Sequence, residues 1–153
     1  MRCRIPCTPT IAEAATRHTV PPHRHRGRPA LGLDNFISRS PGEVVLTAED
    51  ERAFVESGIG LCGGMYSDGV TSFRGKIYEL FVAGVTGESL FEEWLPPATV
   101  AEMSDKLAAC DPDTVGEQLD LDADFVPSPG EIRDLQKLFR ICADRGLGIT
   151  AWS

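Results

Sequence analysis

Past residue 25 the chain has no histidine: all three, His18, His23 and His25, lie near its start. That absence takes the Ser–His–Asp triad, the Cys–His pair and most zinc sites away from whatever folds after it. Basic charge is scarce in the same stretch. Residues 31–153 carry nine lysines and arginines against 22 acids, a net charge of −13, whereas residues 1–30 carry six arginines against the single acid Glu13, a net +5. An acidic surface of that size repels nucleic acid and anionic membranes and steers basic partners toward it. No apolar run approaches the roughly 18 residues that a membrane-spanning helix needs. Beyond residue 30 the cysteines are Cys62, Cys110 and Cys142, an odd number with no Cys-x-x-Cys pair. Neither a disulfide framework nor a zinc cluster is indicated, and a reduced, cytoplasmic setting fits.

The first thirty residues read differently from the rest. They hold Pro6, Pro9, Pro21, Pro22 and Pro29 and include His23-Arg24-His25-Arg26-Gly27-Arg28 near their end. Proline fixes φ and removes a donor, and low apolar content with high charge favours disorder. With no apolar stretch, this is not a secretory signal. It reads as a disordered basic leader ahead of one acidic domain, residues 31–153. Leu31-Gly32-Leu33-Asp34 has the form of a protein start, so the natural chain is expected to begin at Leu31. The intact mass of the native protein tests that expectation.

About 123 residues make one domain of ordinary size. Leu33–Ser38 and Val44–Leu46 read as short strands around the turn Ser40-Pro41-Gly42. Thr47 caps a helix with Glu49, Asp50 and Glu51 in its first turn, ending at Gly58. A glycine-rich loop runs from Gly58 to Gly69. Ser72 is expected to cap a second helix with a stripe of Ile77, Leu80, Phe81 and Gly84, ending at Gly87. Leu90–Leu95 reads as a strand. Pro96-Pro97 opens a third helix with Val100, Met103, Leu107 and Cys110 inward, broken at Asp111-Pro112. Ser128-Pro129-Gly130-Glu131 is a capping box with proline at the first helical position. Its helix turns Ile132, Leu135, Phe139 and Cys142 inward and stops at Gly146, before a last strand, Leu147–Trp152. The pattern predicts an α+β fold of about four helices with a short mixed or antiparallel sheet.

Several segments bear on chemistry. Gly58-Ile59-Gly60-Leu61-Cys62-Gly63 matches G-x-G-x-x-G, but a dinucleotide fingerprint follows a strand and opens a helix, and here a helix precedes. The same loop leads to Ser72, Arg74 and Lys76, and cations in a first helical turn oppose the dipole. An anion held by Cys62, Gly63, Gly64, Ser72, Arg74 and Lys76 would compensate, and so would a nearby carboxylate. Cys62 as a nucleophile lacks a base. Asp120, Asp122, Asp124 and Glu131 fall at positions 1, 3, 5 and 12 of an EF-hand loop, yet Phe125 stands where the turn needs glycine and Pro127 intrudes; a solvated acidic loop before a capped helix is the alternative. Glu92 and Glu93 are adjacent, so in a strand they face opposite ways. Trp94 and Trp152 read as core or rim packing. No cofactor is implied.

Gly32-Leu33-Asp34-Asn35-Phe36, Leu61-Cys62-Gly63-Gly64-Met65, Ser72-Phe73-Arg74-Gly75-Lys76 and Cys142-Ala143-Asp144-Arg145-Gly146-Leu147-Gly148 together resemble a family of small acidic proteins from high-GC bacteria. The resemblance spans about Leu31 to Trp152. It implies a cytosolic bacterial domain and supplies no functional residues. The expected function is therefore a non-enzymatic acidic protein that binds a protein with a basic face, like an immunity or inhibitor protein. Binding of a small anion or phosphate compound through the glycine loop, as a binding protein or an enzyme, and calcium binding at Asp120–Glu131 are the alternatives.

Overall fold

The computed structural model describes residues 34–122 and 126–152. The readings of residues 1–30 and of Asp124 lie outside them. The fold is α+β, with five helices on a five-stranded sheet among the described residues. In chain order the elements are β1 (Asp34–Ser38), α1 (Ala48–Ser57), β2 (Met65–Ser67), β3 (Val70–Phe73), α2 (Gly75–Thr86), β4 (Trp94–Leu95), α3 (Pro97–Ala108), α4 (Val115–Gln118), α5 (Pro129–Arg145) and β5 (Gly148–Trp152). The sheet order is β2-β3-β1-β5-β4 and every pairing is antiparallel. Among the described residues no helix is long and apolar enough to cross a membrane.

Local chemistry explains the helix ends. Thr47 Oγ1 accepts from the Asp50 N–H at 3.2 Å, and Gly58 closes α1 at φ 66°. Ser128 makes the full capping box on α5: its Oγ accepts from the Glu131 N–H, and Glu131 Oε2 accepts from the Ser128 N–H at 2.9 Å. Ser128→Ala removes one arm of that box and is expected to destabilise the protein by about 1 kcal/mol. A fall in the thermal midpoint with unchanged circular dichroism checks it.

Period-2 alternation sets what the sheet buries. Asn35 and Ile37 of β1, Thr71 and Phe73 of β3, Ile149 of β5 and Leu95 of β4 are sealed on one face. Against it stand Phe54 of α1, Tyr78, Phe81 and Val82 of α2, Val100, Met103 and Leu107 of α3, and Ile132, Leu135, Leu138, Phe139 and Cys142 of α5, in one continuous core. Burial pushes the Cys142 thiol far up, so it stays protonated.

Four local expectations are corrected. Val44–Leu46 is not a strand; it is a connecting segment tied to the β2–β3 turn by the Leu46 N–H, which donates to Gly69 O at 2.7 Å. Half of the glycine-rich loop is the hairpin β2–β3, which turns on Asp68-Gly69 at φ 57° and 76°. Asp-Gly with both residues at positive φ matches the right-handed twist of the flanking strands. Ser72 lies within β3 and caps nothing; α2 begins after Arg74 with no side-chain cap. Its buried stripe is Tyr78, Phe81 and Val82, while Ile77 and Leu80 are exposed. Finally, Leu90–Leu95 is strand only at Trp94–Leu95, because the Leu90 N–H is drawn to Glu79 Oε2 of α2 at 2.6 Å.

Candidate functional site

After α1 the chain sends Ile59 and Leu61 into the core and leaves Gly60 and Cys62 facing outward. Three N–H groups of this loop are taken up by acceptors of the protein itself. Gly60 N–H donates to Asp134 Oδ2 at 3.0 Å, Cys62 N–H to Tyr78 Oη at 2.8 Å, and Gly64 N–H to Leu61 O at 3.0 Å. The Tyr78 hydroxyl in turn donates to Glu131 Oε1 at 3.1 Å. Burial first, and then the facing Glu131 carboxylate, push this phenol up to about 12, against the opposing pull of the Cys62 N–H. The backbone hydrogen bond from Ser128 and then the Ser128 hydroxyl hold Glu131 below the usual carboxylate range. Tyr78→Phe leaves the Cys62 N–H without its acceptor and is expected to destabilise by about 1.5 kcal/mol. Faster hydrogen exchange confined to the Gly58–Gly64 loop is its signature.

The anion-site candidates are only partly assembled. Arg74 N–H donates to Cys62 O at 2.9 Å, and the Arg74 side chain lies over Gly63, so Cys62, Gly63, Gly64 and Arg74 are neighbours. Gly64 is required by close approach, since a Cβ there would lie 2.6 Å from the Tyr66 hydroxyl. The Arg74 guanidinium, however, meets a carboxylate of the chain itself, with Nε 3.3 Å from Asp34 Oδ1. Ser72 is buried in the β3 ladder. Lys76 stands in the first turn of α2. The N–H groups of Gly60, Cys62 and Gly64 are taken by the protein's own acceptors, and the loop leaves the Cys62 side chain and Gly63 exposed.

The acidic stretch is likewise dispersed. Asp120 and Asp122 are exposed, and both Glu131 oxygens are engaged, Oε2 by Ser128 and Oε1 by Tyr78. Among the described residues no three His, Cys, Asp or Glu side chains converge in a metal-holding group. Glu92 and Glu93 are both exposed, just ahead of Trp94.

Two features escaped the sequence reading. The first is a buried ionic cluster. Asp50 is fully buried; its Oδ2 accepts from Arg39 and, at 2.7 Å, from the Thr47 hydroxyl, and its Oδ1 accepts from Arg145 Nε at 2.6 Å. The second is the face of the sheet opposite the helices. The ladder registers place Met65, Ser72, Phe36, Thr150 and Trp94 in one row across it. Trp152 lies diagonal to Phe36, with ring centroids 6.1 Å apart in an edge-to-face contact. Trp94 folds over Gly148, whose missing side chain makes the room. Ser38, Ser72 and Thr150 are buried between these large side chains, with the Ser38 and Thr150 hydroxyls 2.8 Å apart. Met65 is 54 % and Trp152 59 % exposed, and Phe36 and Trp94 are half-buried. Both tryptophans of the chain therefore lie on the face opposite the described helices. Compared with known proteins, the chain matches no family model, no curated protein and no solved structure.

Proposed function

We propose that the chain is a non-enzymatic, acidic, cytosolic binding protein whose partner is a protein with a basic face, of the immunity or inhibitor kind. One observation carries this reading: most of the domain's cations are tied down within the chain while many acids are not. Arg39 and Arg145 go to Asp50, Arg74 to Asp34, Arg133 to Asp113, Lys137 to Asp134 and Arg140 to Asp105 and Asp144. Lys106 donates to Thr86 O at 2.7 Å. Glu56, Asp68, Glu92, Glu93, Glu102, Glu117, Asp120 and Asp122 are exposed, and no ion pair of the described residues includes them. The net field is negative, and a field of one sign speeds encounter with the opposite one.

Pull-downs from the source cells at low salt are expected to recover one basic protein, with an association rate that falls steeply as salt is raised. Recovery of no specific protein under those conditions overturns the reading. Small-anion binding is the second reading, favoured by the contact of Arg74 with the Cys62–Gly64 loop. Arg74→Ala with Lys76→Ala separates the two: loss of phosphate binding with the fold intact supports the anion site, and no change in any ligand removes it.

A further inference from the structure

We infer that the face of the sheet opposite the described helices is where the basic partner docks, and that it takes arginine side chains in particular. The inference rests on the binding reading above and deepens it. Phe36, Trp94 and Trp152 present ring faces or edges on one side of the sheet, with Met65 on the same row. Aromatic clusters of this kind, set among small polar residues, are where interfaces concentrate their binding energy. A guanidinium is planar and weakly hydrated, so it stacks on an aromatic ring while its N–H groups still reach carboxylates; an ammonium does the first less well. The carboxylates are at hand. Glu92 and Glu93 are exposed immediately before Trp94, and Asp34 sits opposite Trp152 in the β1–β5 register. Arg74, which follows β3 at the Asp34 end of the sheet, is itself paired with Asp34. The sheet itself offers little for strand addition, because its edge strands β2 and β4 hold three residues and two. Docking is therefore through side chains on the face.

Because both tryptophans stand there, their fluorescence reports this face alone. The full chain is titrated at low salt with a short Arg-Gly repeat peptide and with its Lys-Gly counterpart of equal length. The Arg-Gly peptide is expected to bind at least fivefold more tightly and to shift tryptophan emission. Trp152→Ala should remove most of that preference while leaving Lys-Gly binding within twofold, with circular dichroism confirming the fold. The exposed pair Glu92→Gln and Glu93→Gln, which asks nothing of the core, should weaken both peptides. Equal binding of the two peptides, unchanged by Trp152→Ala, overturns this face as the site and leaves the acidic-binding reading standing. Binding of neither peptide overturns both. Emission that changes with protein concentration alone assigns the face to a second copy. Emission that changes on Arg24→Ser, Arg26→Ser and Arg28→Ser without peptide assigns it to the chain's own basic segment. Either result overturns an external partner.

Discussion

Asp50→Ala is expected to cost the protein about 3 kcal/mol, a large share of the stability of a domain this size. Asp50 stands in the first turn of α1 and is sealed from solvent, yet it joins three separate pieces of chain. Arg39 reaches it from the end of β1, Thr47 from the cap of its own helix, and Arg145 from the last turn of α5, where Arg145 also meets Glu49 at 3.1 Å. A carboxylate this deep carries a heavy desolvation cost, and only a full set of donors offsets it. Removing the acid frees two guanidiniums, but Arg39 is 44 % and Arg145 24 % exposed, so both can turn to water. That places the loss at the lower end of the range for breaking buried pairs.

The same cluster dictates a pH dependence. Burial, the largest single influence, pushes the Asp50 carboxyl up, but hydrogen bonds from Thr47, Arg145 and Arg39 together hold it down at about 2, against an ordinary 3.8. A carboxyl whose folded value lies below its unfolded one stabilises the fold fully above about pH 4, and this contribution drains away as pH falls toward 2. It amounts to about 2 kcal/mol. Urea unfolding of the native chain and of Asp50→Asn at pH 6 and at pH 2.5 isolates it from the other acids. The gap between the two proteins should narrow sharply at the lower pH; a gap of constant size would show that Asp50 is held by packing rather than by charge.

What was legible in the sequence is what is decided locally. The ends of α1 and α5 follow from Thr47, Ser128, Pro129, Glu131 and the glycines at 58 and 146, each acting within a few residues. The hairpin at Asp68-Gly69 was equally local, and its signal lay hidden in a run of glycines that also spelled a nucleotide motif. Ser72 was misread because a hydroxyl ahead of a helical stripe has the same appearance whether it caps the helix or ends a strand. Asp50 was read with Glu49 and Glu51 as one more acid for the helix dipole. That explanation is blind to Arg145, 95 positions away. The hydrogen bonding of the glycine loop is hidden from the sequence for a similar reason. The acceptors that claim its N–H groups, Tyr78 and Asp134, stand on other elements. The aromatic face needed the strand order itself, since nothing in the spacing of Phe36, Trp94 and Trp152 brings them together before β1 lies between β3 and β5.

Gly75→Ala is the second large effect, and helix propensity gives it the opposite sign. Alanine is the better helix former by up to about 1 kcal/mol, and α2 begins at this glycine. The expected outcome is nevertheless a loss of about 3 kcal/mol. The Asn35 amide of β1 rests directly on Gly75, and a Cβ added there would run into its Oδ1 and come within 2.6 Å of its Cγ. Asn35 has no room to yield: it is fully buried, and its Nδ2 donates to Leu90 O at 2.9 Å, so displacing it strips a buried carbonyl of its donor. A double-mutant cycle tests the cause. In an Asn35→Ala background the obstruction is gone, and Gly75→Ala should cost less than about 1 kcal/mol, giving a coupling of about 2 kcal/mol between the two sites. An equal penalty in both backgrounds would place the requirement for glycine elsewhere than in this contact. The contact fixes where α2 sits on the central strand from the helix side. Phe36 leaves the same strand on the other side, so tryptophan emission from the open face should also shift in Gly75→Ala and return toward native in the double variant.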